Sequence, residues 1–297
     1  MNYLQSLVEV LNHPLNKDSK LNALLRILWW KCNQALFHIP AVVQLTPEAQ
    51  CICHPERSYA GLVFYTKLPE YPEMKLIYDI VRSEDVFFDV GADIGTYSLI
   101  AASKITTGKV YAFEPTPLSL FEFNKNIGLN NFGTKIEVVH KLASDIDGTE
   151  SFAFCKNSEV NHIAYLKKES EEELQQVESV KLDTFASARG LSYVDVIKID
   201  VEGAEYKVLQ GFESYLSSGM VGILLIEVNV NSALFNVQPA DIFSFLENRG
   251  YDIYHFDRCN RLCVLADTEG FLKQTMNILA VHKSDEAQER VERYKKK

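Results

Sequence analysis

Five short runs of almost uninterrupted apolar residues, at 86–90, 109–114, 135–140, 194–200 and 222–228, limit most strongly what this chain can become. A strand with one wet face alternates apolar and polar side chains. A run without that alternation is buried on both faces, as parallel strands covered by helices are. The segments between the runs carry helical punctuation. Thr116-Pro117 reads as a cap followed by proline at the first helical position, Leu120, Phe123 and Ile127 supply a buried stripe, and Gly128 stands where a closing glycine belongs. Pro239 opens a later helix bearing Ile242, Phe245 and Leu246 and ending at Gly250. The expected fold class is α/β, with a doubly wound, mostly parallel sheet.

Three parts are expected around this pattern: a helical N-terminal extension or lid over 1–80, a domain over 81–283, and a charged C-terminal tail or fraying helix over 284–297. In the extension, Leu21, Leu24, Leu25, Leu28, Cys32, Ala35 and Leu36 recur at helical spacing, which predicts a helix packing that stripe against the domain. Arg26, Lys31, Asn33, Gln34 and His38 interrupt the segment, so it does not cross a bilayer. Trp29 and Trp30 beside Arg26 and Lys31 leave peripheral membrane contact as the lesser alternative. Extended pieces are expected at 41–53 and 59–67, then a helix over 74–82 after two prolines, with Glu73 as a first-turn residue. The run KKESEEELQQVE at 167–178 reads as a solvated loop or helix face.

Charge and cysteine usage narrow the partners. Thirty basic against 40 acidic side chains give a net charge of -10, which repels phosphate backbones and argues against nucleic acid. Six cysteines in 297 residues suit a reducing, cytoplasmic setting. Cys51-Ile52-Cys53-His54 lacks the second ligand pair of a structural zinc site. The chain also lacks a GxxxxGK[ST] phosphate loop, an HExxH helix and a GxSxG elbow, which weakens nucleotide hydrolysis, metalloproteolysis and serine-esterase chemistry.

Ligands of doubly wound sheets sit beyond the carboxyl ends of the strands. The first run ends in Asp89-Val90-Gly91-Ala92-Asp93-Ile94-Gly95-Thr96-Tyr97, and the second ends in Glu114, placed to accept hydrogen bonds from a ribose. A dinucleotide loop has glycine where this chain has Asp93, and a carboxylate there repels a pyrophosphate but not a cationic sulfonium. The loop therefore suits S-adenosyl-L-methionine better than NAD.

With FFDVGADIGTYSLIAA, AFEPTP, VHKLASDIDG, SVKLDTF, DVIKIDVEGAEYKVLQGF and ILLIEVN in this order, the chain resembles the FkbM family of class I S-adenosylmethionine-dependent methyltransferases over roughly 59–265. The resemblance implies a Rossmann-like core. It implies that Asp89 orients the methionine moiety, that Gly91, Ala92, Asp93 and Gly95 shape the cofactor turn, and that Thr96 and Tyr97 open its helix. Glu114 takes the ribose with Pro115 nearby, Ser144 and Asp145 fall where the adenine amine is recognised, and Asp200 and Glu202 lie beside the transferable methyl. Family members usually carry Asn at position 93, and the extra charge here should suit the methionine ammonium.

Family members mostly methylate hydroxyls of sugars or secondary metabolites, so the expected acceptor is a glycan or small molecule. Its proton needs a base, for which Asp200, Glu202 and Glu227 are the candidates; His162 is a lesser one. A divalent cation held by Asp200, Glu227 and Asn229 is an alternative that paired carboxylates beside a cofactor do not require. The competing functions are an NAD-dependent oxidoreductase and a cofactor-binding module without turnover.

Overall fold

The computed structural model describes residues 3–154, 162–163, 173–228, 230–265 and 275–296. An N-terminal layer comprises α1 (Tyr3–Asn12), α2 (Lys20–Leu36), an antiparallel hairpin of β1 (Ala41–Thr46) and β2 (Ala49–Cys53), α3 (Ser58–Thr66) and α4 (Tyr71–Ile80). The main domain follows with β3 (Val86–Val90), α5 (Thr96–Lys104), β4 (Lys109–Phe113), α6 (Pro117–Asn130) and β5 (Ile136–Val139). Short strands β6 (Leu142–Ala143), β7 (Gly148–Phe154), β8 (His162–Ile163) and β9 (Glu173–Val180) form a separate sheet in the order β6-β9-β7-β8. The chain returns through α7 (Leu182–Ala188), β10 (Val194–Ile199), α8 (Glu205–Gln210), α9 (Glu213–Ser217) and β11 (Val221–Val228). It ends with α10 (Pro239–Glu247), β12 (Tyr251–Phe256), β13 (Leu262–Val264), β14 (Met276–His282) and α11 (Asp285–Lys295).

All five apolar runs enter one eight-stranded sheet ordered β13-β12-β14-β11-β10-β3-β4-β5. From β5 to β11 every neighbour is parallel, and β14 inserts antiparallel between β11 and β12. The expected α/β class and mostly parallel sheet are thus observed. The chain winds outward from β3 through β4 to β5, then restarts at β10 and winds the other way. The strand order therefore reverses between β3 and β10, which opens a crevice at their carboxyl ends. One core packs on each face: Phe87, Leu99 and Ile100 lie on one side, and Phe88, Phe185 and Phe212 on the other.

Several local expectations change. Residues 59–67 are helical rather than extended: Phe64 stacks on Trp30 at 4.6 Å, and the indole approaches Gly61, where an added Cβ would meet Nε1 at 3.1 Å. Tertiary packing of aromatic residues here overrides strand propensity. The α4 helix begins at Tyr71, three residues early, because Pro72 fits its first turn. Helix α6 runs past Gly128 to Asn130 and closes on left-handed Asn131 (φ 56°). Asn126 and Asn130 on that last turn accept the Ile52 and Gln50 amides at 2.7 Å, pinning the helix to β2. Of the acidic run at 167–178, residues 173–178 belong to strand β9 rather than to a loop or helix face, because β7 supplies an antiparallel partner; 167–172 lie outside the described residues.

Helix α2 presents the opposite face to the one expected. Ala23, Ile27, Trp30 and Asn33 are buried, whereas the leucine stripe is exposed. The charged C-terminal segment forms α11, with Ala287 and Val291 buried and Arg290 reaching Asp85 (2.6 Å), Asp195 (3.0 Å) and Glu286 (2.9 Å). Cys51 and Cys53 are buried free thiols. No helix among the described residues is long and apolar enough to cross a membrane.

Candidate active site

The turn after β3 is built from left-handed residues: Gly91 (φ 76°), Asp93 (φ 46°) and Gly95 (φ 87°). Glycine is required at 91 and 95 because protein fills the space a side chain would need. A Cβ at 91 would stand 1.8 Å from the Asp200 carbonyl oxygen, and one at 95 would stand 2.0 Å from the Phe123 ring. Close approach here is to neighbouring protein, not to a ligand. Asp93 is an acidic residue in a conformation that costs most side chains about 1 kcal/mol or more. Three contacts hold it: Glu114 Oε2 accepts its amide at 2.9 Å, Ser119 Oγ donates to Oδ1 at 2.7 Å, and buried Arg57 pairs with the same oxygen. Arg57 also donates to Ser119 at 3.1 Å and lies 3.5 Å from Glu122. The charge on Asp93, expected from the sequence to suit the methionine ammonium, is already balanced by a cation from the N-terminal layer.

Glu114, at the end of β4, is 5% exposed and accepts the Asp93 and Thr116 amides, one on each oxygen. Burial foremost, with the charge on Asp93, pushes it up to about 7. Asp89 is fully buried beneath the turn: Oδ2 accepts the Ser98 amide (2.9 Å) and hydroxyl (2.6 Å), while Oδ1 has no hydrogen-bond partner. Burial raises its pKa, against the pull of Lys198 and Ser98.

The next strand over contributes Lys198 and Asp200, which share a face because strand side chains repeat every second residue. Lys198 Nζ lies 3.1 Å from Asp200 and donates to the Gly91 carbonyl at 3.0 Å. Burial disfavours its charge, but Asp200 and Asp89 outweigh that and raise its pKa. Beyond β10, left-handed Glu202 (φ 56°) and Gly203 (φ 105°) turn the chain. Fully buried Glu205 ties that turn by accepting the Val201 and Gly203 amides on Oε1, and burial pushes it up to about 7.

These elements enclose a cleft at the switch point, lined by six carboxylates (Glu70, Asp93, Glu114, Asp200, Glu202, Glu227) and by Lys141 and Lys198. Gly91, Ala92, Thr96, Tyr97 and Pro115 line it as well. Asp89 and Gly95 do not line it. Ser144 and Asp145 are not among the lining residues: buried Ser144 donates to Asp145, which pairs with Lys207 at 3.1 Å. Lys141, Leu142, Ala143 and Phe152 line that side instead.

Two lining residues had no sequence signal, because they come from the N-terminal layer. Tyr59 lies 3.1 Å from the Thr96 hydroxyl. Glu70 accepts the Tyr97 hydroxyl at 2.5 Å; burial first, then the charge on Asp200, pushes it up to about 7. Glu73, on the first turn of α4, has its pKa raised mainly by burial, against a hydrogen bond to Asn277. No cluster of three or more His, Cys, Asp or Glu side chains among the described residues is arranged to hold a metal ion; Asn229 and the His162 side chain lie outside them.

The model of the methyltransferase FkbM domain matches residues 89–253. Hexuronic acid methyltransferase AglP of Haloferax volcanii is 29% identical over 179 residues, 60% of this chain and 67% of that protein. Methyltransferase sdnD of Sordaria araneosa is 26% identical over 206 residues, 59% of this chain and 78% of its own. The 31-O-demethyl-FK506 methyltransferase FkbM of Streptomyces tacrolimicus is 25% identical over 161 residues, 45% of this chain and 61% of its own. With more than half its length inside that domain, and with the crevice where the fold demands it, the chain belongs to the FkbM methyltransferase family and is an S-adenosylmethionine-dependent methyltransferase.

Proposed function

We propose that the chain methylates a hydroxyl group of a sugar acid, glycan or small secondary metabolite. The observation that carries this reading is a cleft lined by six carboxylates against two lysines, with Glu70 held against Tyr97 inside it. Such a lining favours a cationic donor and disfavours a phosphate-bearing one. The printed names of the relatives, a hexuronic acid methyltransferase and a methyltransferase of an O-demethylated compound, point to the same acceptor chemistry.

The residues present fit a sulfonium nucleoside. Glu114 stands at the end of β4 for ribose hydroxyls, Gly91, Ala92, Asp93, Thr96 and Tyr97 line the cleft, and Asp89 Oδ1 is a buried, unpartnered acceptor at the end of the preceding strand. When bound, this cofactor supplies an already activated methyl group. What remains for the chain is to align the acceptor, exclude water and take a proton. In this reading Glu202 and Glu227 hold acceptor hydroxyls, and Asp200 with Lys198 fixes the floor of the cleft. Glu70 takes the acceptor proton: with a pKa near neutrality it can be unprotonated at rest yet basic enough to act. Asp200, paired to an ammonium at 3.1 Å, is better suited to positioning.

The test is to incubate the protein with methyl-labelled cofactor and a panel of hexuronic acids, neutral sugars and polyols, and to locate label by mass spectrometry. One added methyl on an oxygen is expected. Transfer to nitrogen, or binding of S-adenosylhomocysteine with no acceptor methylated in cell extracts, would overturn the reading.

A further inference from the structure

Helix α2 carries two apolar faces, and only one is covered. Trp30 is fully buried against Phe64, and Asn33 clamps Ile39 by donating to its carbonyl (2.8 Å) and accepting its amide (3.1 Å). These contacts fix the rotation of the helix, so the other face cannot roll inward. That outward face presents Leu21 (69% exposed), Leu25 (54%), Leu28 (54%) and Leu36 (71%), with Leu24 and Trp29 between them. At 100° per residue these positions span an arc of roughly 140°, a full apolar face. Nothing among the described residues covers it, and a contiguous patch of this kind marks an interaction surface.

The charges around it identify the occupant. The helix contains no acidic residue, and Lys20 and Lys31, both exposed, fall on the same edge of the leucine arc. Lys17 precedes them. Residues 1–46 hold Lys17, Lys20, Arg26 and Lys31 against only Glu9 and Asp18, in a chain whose net charge is -10. The exposed leucine helix of this acidic protein thus lies in a basic segment. An antiparallel twofold dimer through this face would bring Lys20 of each copy toward Lys31 of the other, a like-charge contact. An anionic bilayer satisfies both features: leucines and Trp29 enter the acyl boundary while the lysines meet headgroups. We infer that the outward face of α2 docks the protein, lying flat, on an anionic lipid membrane.

The full chain is sedimented with vesicles of pure phosphatidylcholine and of a one-to-one mixture of phosphatidylcholine and phosphatidylglycerol, while tryptophan emission is recorded. Binding to the mixed vesicles is expected to exceed that to neutral ones by about tenfold or more, to weaken with salt, and to shift emission to the blue through Trp29, since Trp30 is already buried. Leu25→Glu with Leu28→Glu should reduce binding by about 100-fold or more with unchanged circular dichroism; Lys20→Glu with Lys31→Glu should remove the preference for the mixed vesicles. Failure to sediment with either vesicle would overturn the inference. So would a stable dimer in light scattering that Leu25→Glu with Leu28→Glu dissociates.

Discussion

The two ends of the central sheet bury acidic side chains in opposite ways. At the amino end, Arg290 bonds both Asp85 and Asp195; Asp85 Oδ2, the oxygen it holds, also accepts the Arg82 amide at 2.9 Å, and Asp195 Oδ2 accepts the Val86 amide at 2.8 Å. That cluster locks α11 to the start of β3 and β10. At the carboxyl end, Glu70 and Glu114 sit in an open crevice with no cation bonded to either among the described residues, and both are pushed up to about 7. Acids bonded to a cation serve as joints. Acids held near neutrality in a cleft are the ones available for proton transfer.

The largest effect that would break this contrast is on turnover. Glu70→Gln should lower kcat by roughly 10²–10⁴ with little change in S-adenosylhomocysteine affinity by calorimetry. In the unaltered enzyme the rate should rise with pH through about 7, as Glu70 loses its proton, and the variant should lack that limb. A variant that loses stability but keeps its rate would make Glu70 a joint like those at the other end.

Next comes the joint itself. Arg290→Met strands the buried carboxylate of Asp85 and the half-buried one of Asp195 and should cost about 3–5 kcal/mol in denaturant unfolding, with cofactor affinity kept where the chain is folded. The third effect sharpens the comparison through pH. Glu205 is pushed up to about 7 from the ordinary value of 4.5, so the folded chain keeps a proton that the unfolded chain releases. Its contribution to stability is therefore full below about 4.5 and is lost as pH rises through about 7. Glu205→Gln should accordingly stabilise the fold by roughly 1–3 kcal/mol at pH 8 and hardly at pH 4.5, flattening that part of the Tm profile. Smallest is Arg293→Ala, one turn from Arg290 but exposed and paired with Glu289 at 2.5 Å; less than about 0.5 kcal/mol is expected.

Where the sequence reading succeeded, short-range chemistry was decisive. Strands buried on both faces must be apolar throughout, so 86–90 and 222–228 announced a parallel sheet; a tight turn must be glycine-rich, so 91–95 announced the crevice. Both expectations hold because the constraint and the residue lie within a few positions of each other. Where it fell short, the partner was remote. The stripe on α2 is equally apolar whichever way it faces, and only Trp30 locking onto Phe64 decides the rotation. Ser144 and Asp145 follow β5 as expected, but Lys207, more than 60 residues on, draws Asp145 away from the cleft.

The amino-acid sequence alone determined the fold class and the carboxylates at the strand ends, since periodicity and turn chemistry are local properties. Tertiary structure alone decided the charge state of the site. Arg57 neutralises Asp93, Lys198 holds Asp200, and Glu70 enters from a layer that precedes the sheet. Coulomb energy and desolvation depend on distance through space, and no spacing along the chain encodes that distance.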